Sequence, residues 1–438
     1  MRHSFARVHW QAAIVLFAAL VAGPLAAIPF DPGSLPARAA PKRDAAAAET
    51  SYRTGLQALV AGQVDDAERS FRKCLEIAPR AAACLLGLAT VAEQRGNPDE
   101  SGRFIERAAA AEPDNAYAQA SLGRWRGVQG RTPDAIVALE EAVRLDPKAV
   151  RPRVDLGDIY LTSGRDLERS IKLYREAIAI DDKHAGAHYA LAVALTRKGD
   201  ATGARREFER ASALSPGNPL PPLALADLYS AAGDLKEAEK YAREAVKAQP
   251  SLLTARLRLG QILEASGRYD EAMQQYQAMT KAHPKLAAPY FHVGALLHRR
   301  GDLPGAAKAY EQALKNDGRF APALNNLAAI ELTANTSPAK AEQLARRAVE
   351  SAPDNAAYRD TLAEVLAARG ELAKALAEQQ QAARLEPDNP MYLAHAGQLQ
   401  ARLGQKDAAI DSLSRALKMS DSFPGAADAK KLLDSLRR

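Results

Sequence analysis

Aromatic residues are scarce in this chain of 438 residues: they make up 5%, against 47% hydrophobic residues in all. A core built so largely from small and aliphatic side chains suits helices that approach closely and suits a thick β-sandwich poorly. Cysteine is nearly missing, with only Cys74 and Cys84 present, which excludes a disulfide-dense scaffold. There is no run of five like charges and no basic strip interleaved with aromatics, so nucleic acid is not an expected partner. The net charge of +6 is a mild excess in a chain that is 26% charged, and acids alternate with bases as on a solvated, ion-paired helix surface. Motifs of catalysis are lacking too. No HExxH, no G-x-S-x-G elbow and no phosphate-cradling Gly-rich loop occurs, and no converging set of reactive groups is evident. No enzymatic activity and no cofactor are therefore expected.

What is present begins with a targeting pattern. Arg2 and Arg7 precede a charge-free apolar stretch from Trp10 to about Ala27, followed by small residues at Leu25-Ala26-Ala27 and again at Ala37-Arg38-Ala39. The order basic, apolar, small is that of an export signal, with cleavage expected after Ala27 or else after Ala39. An uncleaved membrane anchor is the alternative, although Pro24 and Pro29 make the span marginal. No Cys lies in or just after the segment, which excludes lipid attachment through one. The expected organisation is a signal peptide or anchor over 1–27, an unstructured Pro/Ala-rich lead-in over 28–47, a repeat array over 48–421 and a cap over 422–438.

The array is set by one period. Pro or a loop-like residue recurs at Pro79, Pro113, Pro147, Asp182, Pro216, Pro250, Pro284, Gly318, Pro353, Pro387 and Asp421, in steps of 34 with two of 35. A fixed period of this size marks a solenoid of stacked helix pairs. Within the period, Leu122-Gly123 is followed by Ala135, Leu139 and Ala142. The same order returns as Leu156-Gly157, Ser170, Tyr174, Ala177; as Leu259-Gly260, Ala272, Tyr276; and as Val293-Gly294, Ala306, Tyr310, Ala313. A small residue beside the Leu lets two helices cross closely, and the Ala and aromatic of the second helix fill the gap. Gly recurs where the first helix must end, from Gly62 to Gly404, and Pro follows the second helix, which it cannot continue. Near the C-terminus, Phe423-Pro424 is expected to start a last amphipathic helix carrying Leu432, Leu433 and Leu436 on one face, as a solenoid end requires.

This pattern of Leu-Gly, Ala with an aromatic, and Pro resembles the tetratricopeptide repeat family. The resemblance implies an all-α, right-handed solenoid of about eleven helix-turn-helix units with a C-terminal capping helix. It also implies a concave groove, lined by the first helices, that holds peptides or helices of other proteins. The fifth position of each repeat is expected to face that groove. Along the chain it reads Val154, Tyr189, Leu223, Leu257, Phe291 and Asn325, apolar from Tyr189 to Phe291. A continuous apolar strip reads as a peptide site; internal packing against neighbouring repeats is the other reading. On the same face Arg124, Arg197, His298 and Arg299 are expected to offer positive charge to an acidic tail, and Asn325 to bond peptide backbone.

Two further pairs stand out. His184 and His188 share ligand spacing, but no third ligand is evident and no metal site is assigned. Cys74 and Cys84 flank the turn at Pro79 and are placed either to form a disulfide or to remain two buried thiols. The functional expectation is a periplasmic, secreted or inner-membrane-anchored scaffold that binds other proteins in the cell envelope. The alternative is an accessory part of exopolysaccharide or surface-polymer export, on the flavour of Asn325-Asn326-Leu327-Ala328, Pro353-Asp354-Asn355 and Pro387-Asp388-Asn389.

Overall fold

A computed structural model describes residues 42–334 and 337–438. The expected signal, most of the lead-in and the middle of the Asn335-Thr336 turn lie outside the described residues. Among the described residues there are 23 helices and no strand, and no helix is long and apolar enough to cross a membrane. They fall into two compact units that part between Pro216 and Gly217.

The first unit holds five helical hairpins: α1 (Lys42–Val60) with α2 (Val64–Ile77), α3 (Ala82–Gln94) with α4 (Pro98–Ala111), α5 (Ala116–Val128) with α6 (Thr132–Leu145), α7 (Val150–Ser163) with α8 (Leu167–Ile180), and α9 (Ala185–Lys198) with α10 (Ala201–Leu214). The second holds six and a last single helix: α11 (Leu220–Ala231) with α12 (Leu235–Ala248), α13 (Leu253–Ala265) with α14 (Tyr269–Ala282), α15 (Ala287–Arg299) with α16 (Leu303–Asn316), α17 (Ala321–Ala334) with α18 (Pro338–Ser351), α19 (Ala356–Ala368) with α20 (Leu372–Leu385), α21 (Pro390–Arg402) with α22 (Lys406–Met419), and α23 (Ala426–Arg437). Two boundaries differ from expectation. Helix α1 starts at Lys42, inside the stretch read as an unstructured lead-in. The last helix starts at Ala426, after Gly425 in the left-handed region, so Phe423-Pro424 belongs to the turn before it.

Local chemistry sets each hairpin. The first helices are capped by Asn115, Asn355 and Asn389, whose side chains accept backbone N–H groups of the first turn. Second helices start at Asp166, Asp200, Asp234 and Asp302, which do the same. Between the two, Gly takes φ near +70° to +88°, as at Gly62 (φ 72) and Gly199 (φ 88), which closes the turn. Buried residues then fall at i, i+4 and i+7 of the second helix: Ala272, Tyr276 and Met279 on α14, and Ala306, Tyr310 and Ala313 on α16.

The small residue of the first helix is a packing necessity. A Cβ added at Gly157 would stand 2.5 Å from Tyr174 Cε1, and one at Gly294 would stand 2.6 Å from Tyr310 Cε1. Phe71 fills two such gaps at once: a Cβ on either Gly55 or Gly87 would meet its ring at 2.6 Å. The ring of α2 thus keys its own hairpin partner and the next hairpin together.

First helices of successive hairpins also pack side by side, as α3 does with α5, α7 with α9, α11 with α13, and α17 with α19. Among the described residues no pair of second helices packs together to a like degree. In the first unit the first helices therefore lie together on one face; in the second the closest such pairs are α11 with α13 and α17 with α19. Helix α23 closes the second unit, with Leu433 buried and Leu432 and Leu436 packed beside it against Ala394, Leu413 and Ala416.

Candidate functional site

The first helices α11, α13, α15 and α17 of the second unit carry Leu223, Leu257, Phe291 and Asn325 at equivalent positions, all half-buried. They are neither sealed in the core nor free in solvent. Phe291 is the best anchored: its ring lies 5.8 Å from Tyr310, 5.7 Å from Phe320 and 5.4 Å from His292, so it stands rigid with one side uncovered. His292 was not singled out by sequence. It stacks on Tyr276 at 5.4 Å, and burial pushes its imidazole down to about 4, which makes it a neutral part of the aromatic wall at physiological pH. Asn325 Nδ2 donates to Asn326 Oδ1 at 3.3 Å, while Asn325 Oδ1 is buried and has no hydrogen-bond partner among the described residues.

In the first unit the same position is occupied differently. Val154 is buried, at 7% exposure, and packs internally instead of facing a groove. Tyr189 is half-buried and meets Phe208 edge-on at 5.4 Å. The apolar strip read as one run from Tyr189 to Phe291 thus belongs to two units, with Leu223, Leu257 and Phe291 in the second.

The expected positive rim is largely taken up within the protein. Arg124 donates to Asp155 Oδ2 at 3.3 Å and to Ser121 Oγ at 3.2 Å. Arg197 donates to the Leu161 carbonyl at 2.6 Å, and Arg299 pairs with Glu264 at 2.9 Å. His298 is half-buried near the end of α15. The three arginines tie adjacent hairpins together; Arg124 and Arg299 are paired with carboxylates, whereas Arg197, among the described residues, keeps an uncompensated charge on its carbonyl contact.

A regularity missed by the sequence reading lies beneath this. Arg124 pairs with Asp155, and Asp227 with Arg258; in each case the partners sit on successive first helices. The spacing is one period less three residues, so a scan for opposite charges at that offset would have found both. Glu364 and His395 share the offset, and they approach Asp360, the next member of the fifth-position series after Asn325.

His184 and His188 do not converge on a ligand. His184 Nδ1 accepts from Ala187 N at 3.0 Å as a helix cap, and His188 bonds Glu207 at 2.7 Å and the Asp182 carbonyl at 3.1 Å. Cys74 at the end of α2 and Cys84 at the start of α3 are joined in the structure, with Cα atoms 6.3 Å apart, and both are buried. Two shallow depressions, of about 420 and 520 Å³, lie away from the ladder, on α5 and α6 and on α1 and α2.

A stack of helical hairpins with a half-buried apolar inner strip defines a scaffold suited to protein–protein interaction. The family description Tetratricopeptide repeat matches residues 58–124, 122–185, 154–219, 223–287, 295–356, 334–390 and 361–427, and the chain belongs to that family. No curated protein sequence matches the chain. Among solved structures it is similar to yeast Tom70, at 15% identity over 89% of this chain and 95% of that one, with a TM-score of 0.48. It is similar to Cut9–Hcn1 of the APC/C, at 12% identity over 89% and 96%, with a TM-score of 0.47. It is also similar to YrrB, described as a TPR protein with an unusual peptide-binding site, at 22% identity over 43% and 97%, with a TM-score of 0.37.

Proposed function

We propose that this protein is a non-catalytic scaffold of the cell envelope that holds a peptide or helical segment of a partner protein on the inner face of its second unit. The observation that carries the reading is the Leu223, Leu257, Phe291 strip, half-buried at equivalent positions of successive first helices and followed by the amide of Asn325. Apolar side chains of the segment seat on the strip, and its backbone bonds Asn325. Phe291 is the expected energetic centre, since rigid aromatic anchors carry a disproportionate share of binding energy. The envelope setting draws on the basic, apolar, small order of residues 1–27, which leads to a periplasmic or secreted protein, or to one anchored in the inner membrane if that segment is retained. A buried disulfide suits the same compartment.

A role in exopolysaccharide or surface-polymer export has as its support the Asn-Asn-Leu and Pro-Asp-Asn sequences. Those residues have local duties: Asn355 and Asn389 cap helices, and Asn326 Nδ2 donates to Tyr310 OH at 3.1 Å. The general scaffold reading therefore stands ahead of it. The test is photocrosslinking in cells with the probe at Leu257 or Phe291 and a control at Gln274, exposed on α14. Crosslinks to one or a few envelope proteins from the inner sites alone are the expected result. Equal labelling from Gln274, or none from the inner sites, would overturn the proposal.

A further inference from the structure

Beyond the apolar strip the inner face changes character. Asp360 and Glu364 lie on α19, four residues apart and so on one face. His395 stands on α21, the next first helix, and its Nδ1 is 2.8 Å from Asp360 Oδ1. One ligand atom from each of the three lies within 4.8 Å of the others. Asp360 is buried at 9% exposure, His395 is half-buried and Glu364 reaches in from the solvent edge.

Charge makes this cluster unlike its counterparts. Where Arg124 meets Asp155 and Asp227 meets Arg258, each carboxylate has a guanidinium. Here two carboxylates face one imidazole, and among the described residues neither Asp360 nor Glu364 is paired with Lys or Arg. Partial desolvation and the neighbouring Asp360 charge raise the Glu364 carboxyl above its ordinary range, although the residue as a whole is exposed. Two carboxylates against a single imidazole leave negative charge that no Lys or Arg among the described residues offsets.

We propose that Asp360, Glu364 and His395 form a binding site for a divalent cation of the zinc class, bridging α19 and α21. One imidazole nitrogen with two carboxylate oxygens is a donor set for borderline metals, whereas magnesium and calcium favour oxygen alone. Three protein ligands leave coordination positions for water or for a partner's side chain. The metal ties the tenth hairpin to the eleventh on the face where the apolar strip ends. The inference does not rest on the peptide reading, because metal uptake is measured with no partner present.

The experiment is calorimetric titration of the chelator-stripped full chain with zinc chloride, alongside Glu364→Gln and His395→Asn. Circular dichroism confirms wild-type helicity of each variant, and Glu364→Gln, at the solvent edge, is the deciding one. The expected result is saturable uptake of one zinc per chain, weakened at least about tenfold in each variant, the size typical of losses around a metal site. Zinc is also expected to raise the melting temperature of the wild type and not of the variants. Absence of saturable uptake, or uptake undiminished in the variants, overturns the proposal. So does a pure clasp, seen as variants that melt lower without metal while zinc moves neither them nor the wild type.

Discussion

A methyl group at Gly294 has nowhere to go, since Tyr310 Cε1 stands 2.6 Å from where its carbon would be. Gly294→Ala gains about 1 kcal/mol of helix propensity but overpacks the crossing at a cost of about 1–3 kcal/mol. Net destabilisation is expected, read as a lower urea midpoint, with the hairpin α15–α16 affected first. Asp158 gives a prediction with a sign. Burial pushes its carboxyl from 3.8 up to about 7, although Tyr174 OH donates to it at 2.7 Å; Asp155 adds to the rise and Arg151 opposes it. Below 3.8 folded and unfolded chains both hold the proton; between 3.8 and about 7 the folded chain alone holds it. The contribution of this group is therefore fully present in acid and is lost as pH rises through about 7. Asp158→Asn keeps an acceptor for Tyr174 and removes the titration. The difference in urea midpoint between about pH 5 and about pH 8 is expected to shift toward greater stability at the higher pH in the variant relative to the wild type. At Cys74 and Cys84, titration of the denatured, unreduced protein is expected to find no free thiol. Replacing both with Ser is expected to cost about 2–3 kcal/mol from the entropy of the small loop they close.

At the scale of elements, the helices and their order were legible because a period of 34 repeats small residues, aromatics and Gly at the same places, and each is required by a close crossing or a left-handed turn. The inner face was legible only in part. Phe291 and Asn325 are half-buried, whereas Val154, in the same register, is buried, because position in a repeat does not report how closely the neighbouring helices approach. Arg124, Arg197 and Arg299 looked like free charge because their partners lie about a period away, out of sight of any local pattern. Asp360 and His395 were passed over for the same reason, while His184 and His188 drew notice merely by adjacency. The last helix is a case where the element was readable and its start was not: Gly425 and not Pro424 sets it. Deleting α23 uncovers the buried Leu413 and Ala416. A lower melting temperature and concentration-dependent light scattering are expected, since an end hairpin with an open apolar face seeks another.

At the scale of the whole molecule, stability is shared among neighbours and not pooled in one core. Of the two tryptophans, Trp10 and Trp125, only Trp125 lies in the described residues, and it packs within the first unit beside Gly102. Its fluorescence reports that unit, whereas far-UV circular dichroism reports all the helices. The two unfolding curves are expected not to coincide in urea; coincident curves would mean that both units unfold as one. The bond between Cys74 and Cys84 takes on another meaning here. It links α2 to α3, so it crosses from the first hairpin to the second instead of closing a single one. A stacked array ordinarily peels at its margin, one hairpin letting go while the rest stays folded. Because the bond spans the last turn of α2 and the first of α3, it holds the root of the first hairpin against the second while the rest opens, so that a frayed margin stays beside the surface it must return to.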